Sequence, residues 1–131
     1  MTAPADTVYA FAVLRAVPHV YLGTFVPVGV VVHARREGFL ALRAITDVDA
    51  LRRRVPGVDA ELLARYLRAC DAVCRGEPTA GPVALAPTSE RFHWLTAPRS
   101  DVIQSSPVHE GVCDDPAVAL DRLFESYVKP A

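Results

Sequence analysis

The segment SSPVHEGVCDDP, residues 105–116, concentrates side chains that take part in chemistry. A histidine beside a hydroxyl or a thiol can act as a general base, so His109 with Ser105, Ser106 or Cys113 is a candidate catalytic set. A nucleophile also needs its base at about 3 Å and an oxyanion site, and a few residues of separation in one loop provide neither. We therefore predict no catalytic residue here, and interpret the segment as a turn and a helix cap with a loop histidine and a loop thiol.

Binding of an anion is a second possibility. Arg99 and Ser100 offer a guanidinium and a hydroxyl, which together hold a carboxylate or a phosphate well. The guanidinium next to Glu90 and Arg91 equally suits an ion-pair network within the chain. The candidate ligand-binding residues are Trp94, Arg99, Ser100, Ser106 and His109, with the indole as a wall of the pocket.

Four soft ligands also occur at regular spacing. Cys70 and Cys74 are four residues apart, as are His109 and Cys113, and zinc binds these residue types. The first pair falls on an apolar helical stripe, where free cysteines pack as small apolar side chains. Structural zinc sites more often begin with two cysteines two residues apart. We predict core thiols and no metal, with these four residues as the alternative site.

Composition places the chain among ordinary folded proteins. Its 131 residues, 51% hydrophobic and 22% charged, predict a single domain with one core. The net charge of −1 is unevenly spread, because residues 1–75 carry ten Arg against seven acids and residues 76–131 carry four basic residues against eight acids. This balance disfavours nucleic-acid binding. No P-loop or dinucleotide fingerprint is present, and we predict no cofactor.

Cysteine usage and hydropathy indicate the compartment. Three cysteines form an odd set, and the start of the sequence has no secretory pattern, so we expect a cytoplasmic protein with free thiols. The longest apolar stretch, Tyr21–Val32, has 12 residues, whereas a membrane span needs about 20. Thirteen of the 14 basic residues are Arg, which is typical of a GC-rich bacterium. No pattern indicates the oligomeric state.

Strands are expected first. TVYAFAVLRAVP, FVPVGVVVHA and GFLALRAI predict a three-strand meander, because they are rich in β-formers and are separated by turn residues. SDVIQSS predicts one late strand. Residues 77–88 hold three prolines and a glycine and predict a loop, and we expect residues 1–6 and 129–131 to be loose termini.

Helices follow the meander. Asp59 and Gly76 bracket an amphipathic segment as N-cap and C′ residues, and Asp115 before Pro116 opens a second one. TDVDALRRRV predicts a short helix, and SERFHWL is compatible with a helix or a strand, with the helix favoured. The fold class expected is α+β: an antiparallel sheet of about four strands, covered on one face by two main helices.

The chain resembles a bacterial family catalogued as domain of unknown function 3037. The resemblance covers nearly all of residues 8–128, through YAFAVLRAVP, FVPVGVVV, SERFHWLTAPRS and IQSSPVHEG, and its most specific stretch is Arg91–Gly111. The sequence departs at Gly23, Thr24 and Pro27, where a Gly-Glu and an Asn are expected, and at Asp101, where Thr is expected. These changes bear on a shared mechanism more than on the fold.

No reaction is implied by that resemblance, but a partner is. Family members often have a gene for a HipA-like serine/threonine kinase beside them, so the resemblance implies a non-catalytic interaction module that partners such a kinase. The competing hypothesis is a small enzyme or an anionic-metabolite binder that uses the pocket around Arg99, Ser100, Ser106 and His109. A pocket requires concavity with converging polar groups, whereas an interaction module exposes an apolar patch.

Overall fold

A computed structural model describes residues 7–18, 24–97 and 102–129. Over these ranges a five-stranded antiparallel sheet is combined with four α-helices, so the predicted α+β class is confirmed. In chain order the elements are β1 Thr7–Ala16, β2 Val26–Ala34, β3 Phe39–Ala44, α1 Val48–Arg54, α2 Ala60–Arg75, α3 Thr88–Thr96, β4 Ile103–Ser105, β5 His109–Cys113 and α4 Pro116–Tyr127.

The first three strands form the predicted meander, in the order β3-β2-β1. β4 and β5 both pair with the remaining side of β1, β4 opposite Leu14–Ala16 and β5 opposite Thr7–Phe11. The predicted late strand is thus present but shorter, and it continues after a break as β5. The loop predicted at 109–113 is wrong: this segment is a strand, because pairing with β1 overrides a sequence that is too polar to show strand periodicity.

An irregularity lies between β1 and β2. The register shifts between Leu14 and Arg15, with Gly29 opposite Leu14 and Pro27 opposite Arg15. A bulge is one of the few places where a central strand accepts a proline, because proline donates no ladder hydrogen bond. A Cβ on Gly29 would lie 3.0 Å from the Ala44 Cβ on β3, which is tighter than an ordinary contact, so the close approach of β2 and β3 favours glycine at this position.

Both faces of the sheet are covered. Alternate residues of β1 point to opposite sides, with Ala12 and Leu14 packing beneath α2 and Phe11 and Val13 packing beneath α4. The two main helices therefore lie on opposite faces of the sheet. The prediction that both cover the same face is wrong. The physical reason is in β2, where the consecutive residues 30–32 are all fully buried, as in a strand enclosed from both sides.

The helix ends match their predicted caps. Asp59 accepts from the backbone N–H groups of Glu61 and Leu62, and Gly76 ends α2 in the left-handed conformation at φ +71°. Asp115 caps α4 in the same way, with Pro116 in its first turn. The segment SERFHWL is helical, as favoured, and forms most of α3.

The predicted Pro-rich loop contains two single 3-10 turns, Pro78–Ala80 and Pro82–Leu85, before α3 begins. The expected loose termini, apart from residue 129, lie outside the described residues. Within the described ranges, no helix has the length and apolar character needed to cross a membrane.

Candidate functional site

Ser106 lies at the break between β4 and β5 and bonds to the backbone. Its N–H donates to the Val13 carbonyl at 2.8 Å, and its Oγ accepts from the Val13 N–H at 2.9 Å. The hydroxyl itself donates to the Pro107 carbonyl at 2.8 Å. The Ser106 hydroxyl thus takes the place of a backbone carbonyl as the acceptor for the Val13 N–H. Its hydrogen bonds keep β1 joined to the segment between β4 and β5.

His109 and Trp94 lie on opposite faces of the sheet. The His109 ring is exposed on β5 and stands 5.4 Å, centroid to centroid, from Phe11, which packs beneath α4. Trp94 packs on the other cluster, beneath α2 and α3. Arg99 and Ser100 lie outside the described residues. The three predicted ligand residues that are described therefore do not line a common pocket.

Trp94 does line a cavity, but with other neighbours than predicted. The cavity measures about 250 Å³ and lies between α2, α3 and β4. Tyr66, Cys70 and Ile103 contribute to its walls, which are mainly apolar. Ser105 supplies a hydroxyl, which already donates to the Ser106 carbonyl at 2.7 Å. This arrangement suits an apolar group better than a carboxylate or a phosphate.

The cysteines are separated by the sheet. Cys70 and Cys74 lie on α2, whereas Cys113 lies on β5, where it is the register partner of Thr7 on β1. Burial, and then the nearby Cys70 and Asp71, raise the pKa of Cys74 to about 12, so its thiol stays protonated at neutral pH. Among the residues that the structure describes, no group of three or more His, Cys, Asp or Glu could hold a metal ion.

Arg91, at the start of the stretch that carries the resemblance, clamps the end of α2. Its Nη1 donates to the carbonyls of Val73 at 3.1 Å and Cys74 at 2.9 Å, and its Nε donates to the Ala86 carbonyl at 2.8 Å. A cation is favourable here because the last carbonyls of a helix have no partner within the helix. The guanidinium of Arg91 thus binds backbone carbonyls, whereas the ion-pair network considered for this region involves Arg99, which lies outside the described residues.

The exposed end of the sheet was missed by sequence reasoning. Val8 on β1 and its register partner Val112 on β5 are 56% and 58% exposed, and Val108 before β5 is 47% exposed. Cross-strand partners point to the same face, so the first two side chains form one apolar patch. The sequence alone does not reveal this patch, because VHEGVC has the composition of a loop. The pairing of Val112 with Val8 becomes visible only when the structure shows this segment as a strand beside β1.

Two hollows flank this strand pair. One, of about 320 Å³, is lined by Val8, Ala10, His33, Arg35, Arg36 and Glu110 on the face of the patch. The other, of about 410 Å³, lies between β5 and α4 and includes Tyr9, Cys113, Asp114, Val118 and Arg122. Neither brings a nucleophile, a base and an oxyanion site together. Both are shallow surfaces on either side of an edge strand.

The family comparison agrees with the resemblance noted in the sequence. A family model described as "Protein of unknown function (DUF3037)" matches residues 11–128, which is nearly the whole chain. A search of curated proteins found no match. A search of solved structures found none either.

Proposed function

Since the chain belongs to the family described as "Protein of unknown function (DUF3037)", whose description names no reaction, we propose from its surface that it is a non-catalytic protein-interaction module. The observation that carries this proposal is the sheet end at β5. It exposes paired apolar side chains on an edge strand that has no further strand beside it among the described residues. Exposed apolar patches and open sheet edges are common sites of protein association.

The competing pocket receives less support. An anion site needs its polar groups to converge, whereas Ser106 bonds to the backbone and His109 and Trp94 lie on opposite faces. The cavity beside the indole is mainly apolar, so it favours neither acid–base chemistry nor an anionic metabolite. We therefore retain the interaction role as the proposed function.

We propose a HipA-like serine/threonine kinase as the first partner to test, in the cytoplasm of a bacterium. The support for this choice is the resemblance in the sequence and the genes that accompany it. Charge is compatible with a basic docking surface, because residues 76–131 carry eight acids against four basic residues.

The test is co-expression of the tagged protein with the kinase encoded beside its gene, followed by purification and light scattering. We expect a complex of defined stoichiometry that survives gel filtration. The variant His109→Ala should retain the kinase, because that ring packs against Phe11 on the α4 face of the sheet, opposite to the Val8–Val112 patch. A protein that stays monomeric and retains neither this kinase nor any other protein from its native cell would contradict the proposal.

A further inference from the structure

We infer that β5 binds an extended segment of the partner as an additional strand of the sheet. In this arrangement an apolar side chain of the segment lies beside Val112, and a Lys or Arg two positions away lies beside Glu110. The inference rests on the proposed function, because it specifies how a protein partner is held.

The backbone of β5 presents bonding groups to the open side. Val13 directs its carbonyl toward the β4–β5 side, since that carbonyl accepts from Ser106 N–H. By alternation Phe11 and Tyr9 do the same, and their register partners on β5 are His109 and Gly111. The residues between and after these partners, Glu110 and Val112, therefore turn their N–H and C=O groups outward, where the described residues place no strand.

The side chains supply an anchor. Val112 and Val8 lie next to each other on the face where α2 and α3 cover the opposite end of β1. An added strand would set one side chain beside Val112, and burial of this apolar area favours association. Main-chain hydrogen bonds then provide affinity, and alternate side chains provide selectivity, as in other cases of strand addition.

The charge around β5 determines which kind of segment can pair with it. Glu110, Asp114 and Asp115 are exposed in and just after β5, and residues 102–115 contain no Lys or Arg. Arg35 and Arg36 line the hollow beyond β1, on the side away from the open edge. A second copy of this chain would bring the same carboxylates to the interface, and like charges on paired strands are unfavourable. A basic segment complements the edge, and the exposed Glu110 discourages unselective pairing.

Two fluorescein-labelled peptides test the inference with the full-length protein: a Val–Lys peptide with the repeat Val-Thr-Lys-Thr, which places Val and Lys two positions apart on one face of a strand, and a Val–Glu peptide with the repeat Val-Thr-Glu-Thr. We expect the Val–Lys peptide to bind, with the Val–Glu peptide about tenfold weaker. Binding should slow hydrogen exchange at the amides of Glu110 and Val112. A Val–Lys peptide N-methylated at its Val and Lys residues should bind more weakly than the unmethylated peptide, because the strand edge that faces β5 when these side chains lie beside Val112 and Glu110 has then lost its donors.

Substitutions then check the position. Glu110→Lys should reverse the preference between the two peptides, and Val112→Lys should weaken Val–Lys binding about tenfold. Leu85→Lys is the matched control, because that side chain is 68% exposed on a 3-10 turn away from β5. It should change neither affinity.

The outcomes are distinct. No binding of either peptide, equal binding of both, protection mapped away from β5, or a dimer of this chain that Val112→Lys dissociates would each overturn the inference. If Glu110→Lys and Val112→Lys retain the co-expressed kinase as firmly as the natural protein does, only the edge inference fails. If the natural protein associates with no protein at all, the proposed function fails.

Discussion

Arg91 illustrates, at the scale of the residue, why a residue in a family-like stretch need not be functional. Its guanidinium donates to three backbone carbonyls, those of Val73 and Cys74 at the end of α2 and that of Ala86 in the turn before α3. Gly76, the residue that ends the helix, takes up the left-handed conformation at φ +71°, and Arg91 Nη1 lies next to it. One side chain thus joins two helices through backbone contacts.

Arg91→Met should lower the free energy of unfolding by about 2–3 kcal/mol, because the variant keeps the apolar stem but loses charge-assisted hydrogen bonds. Urea unfolding measures the change. Arg75→Ala is the control, since its ion pair with Asp71 is 69% exposed on the arginine side and such pairs contribute less than about 1 kcal/mol. Equal effects of the two substitutions would contradict the clamp.

His33 gives the protein a pH dependence. Burial, followed by the charges of Arg35 and Arg91, lowers the pKa of His33 below its ordinary value of 6.5. The ring packs on Phe92 and shares a 3.1 Å hydrogen bond with Thr88 Oγ1, which ties β2 to α3. As the pH falls through 6.5 the unfolded chain takes up this proton before the folded protein does, so the stabilisation present above pH 6.5 is lost below it.

Stability should therefore fall by up to about 1.4 kcal/mol per pH unit from this ring as the pH decreases below 6.5. His33→Gln cannot titrate but can still bond to the Thr88 hydroxyl, so its stability should vary less with pH over this interval. Denaturant unfolding of both proteins between pH 5 and 8 measures the difference. Identical pH profiles would contradict a role for this histidine.

At the scale of the element, the break in the edge strand depends on Ser106. Ser106→Ala would leave the Val13 N–H without its acceptor, and we expect a loss of about 1–2 kcal/mol in unfolding free energy. Hydrogen exchange at the Val13 amide should become faster. Ser105→Ala is the neighbouring control, because its hydroxyl bonds the Ser106 carbonyl and leaves Val13 bonded. Unchanged exchange at Val13 in the first variant would contradict the assignment.

The elements differ in how much the sequence alone reveals. α2 was predictable because Asp59 and Gly76 mark its ends and its apolar residues recur at helical spacing. β5 was not predictable, since its residues are largely exposed and its conformation comes from pairing with β1. The docking site inferred here lies on that element, so it was hidden for the same reason.

The sequence predicted only part of how the two main helices pack on the sheet. Both main helices were expected to pack on the sheet, and they do, but the choice of face needs the register. The consecutive valines 30–32 carried the information, because a strand covered on one face alternates and this one does not. A meander with such a central strand requires cover on both sides.

The whole molecule has two cores separated by one sheet. α1, α2 and α3 enclose one core and α4 the other, and Arg54 connects them by donating from α1 to the Pro27 and Val128 carbonyls. The β1–β5 end is where the apolar side chains of the sheet remain exposed. The two cores and the proposed binding surface thus occupy different ends of the same strand, so we expect edge substitutions to change association without changing the fold.

The reaction rates of the three cysteine thiols test how tightly the core beneath α2 is closed to solvent. Cys74 is 5% exposed on the inner face of α2, and burial raises its pKa to about 12, whereas Cys70 and Cys113 are half-buried. A disulfide reagent attacks through the thiolate, so Cys74 should react only when the helical layer opens. We expect two of the three thiols to react in the native protein and the third to react only as fast as that opening occurs. Cys74→Ala should remove the slow phase, and Val112→Lys should leave it unchanged. Three equal rates would contradict the enclosure of Cys74 between α2 and the sheet.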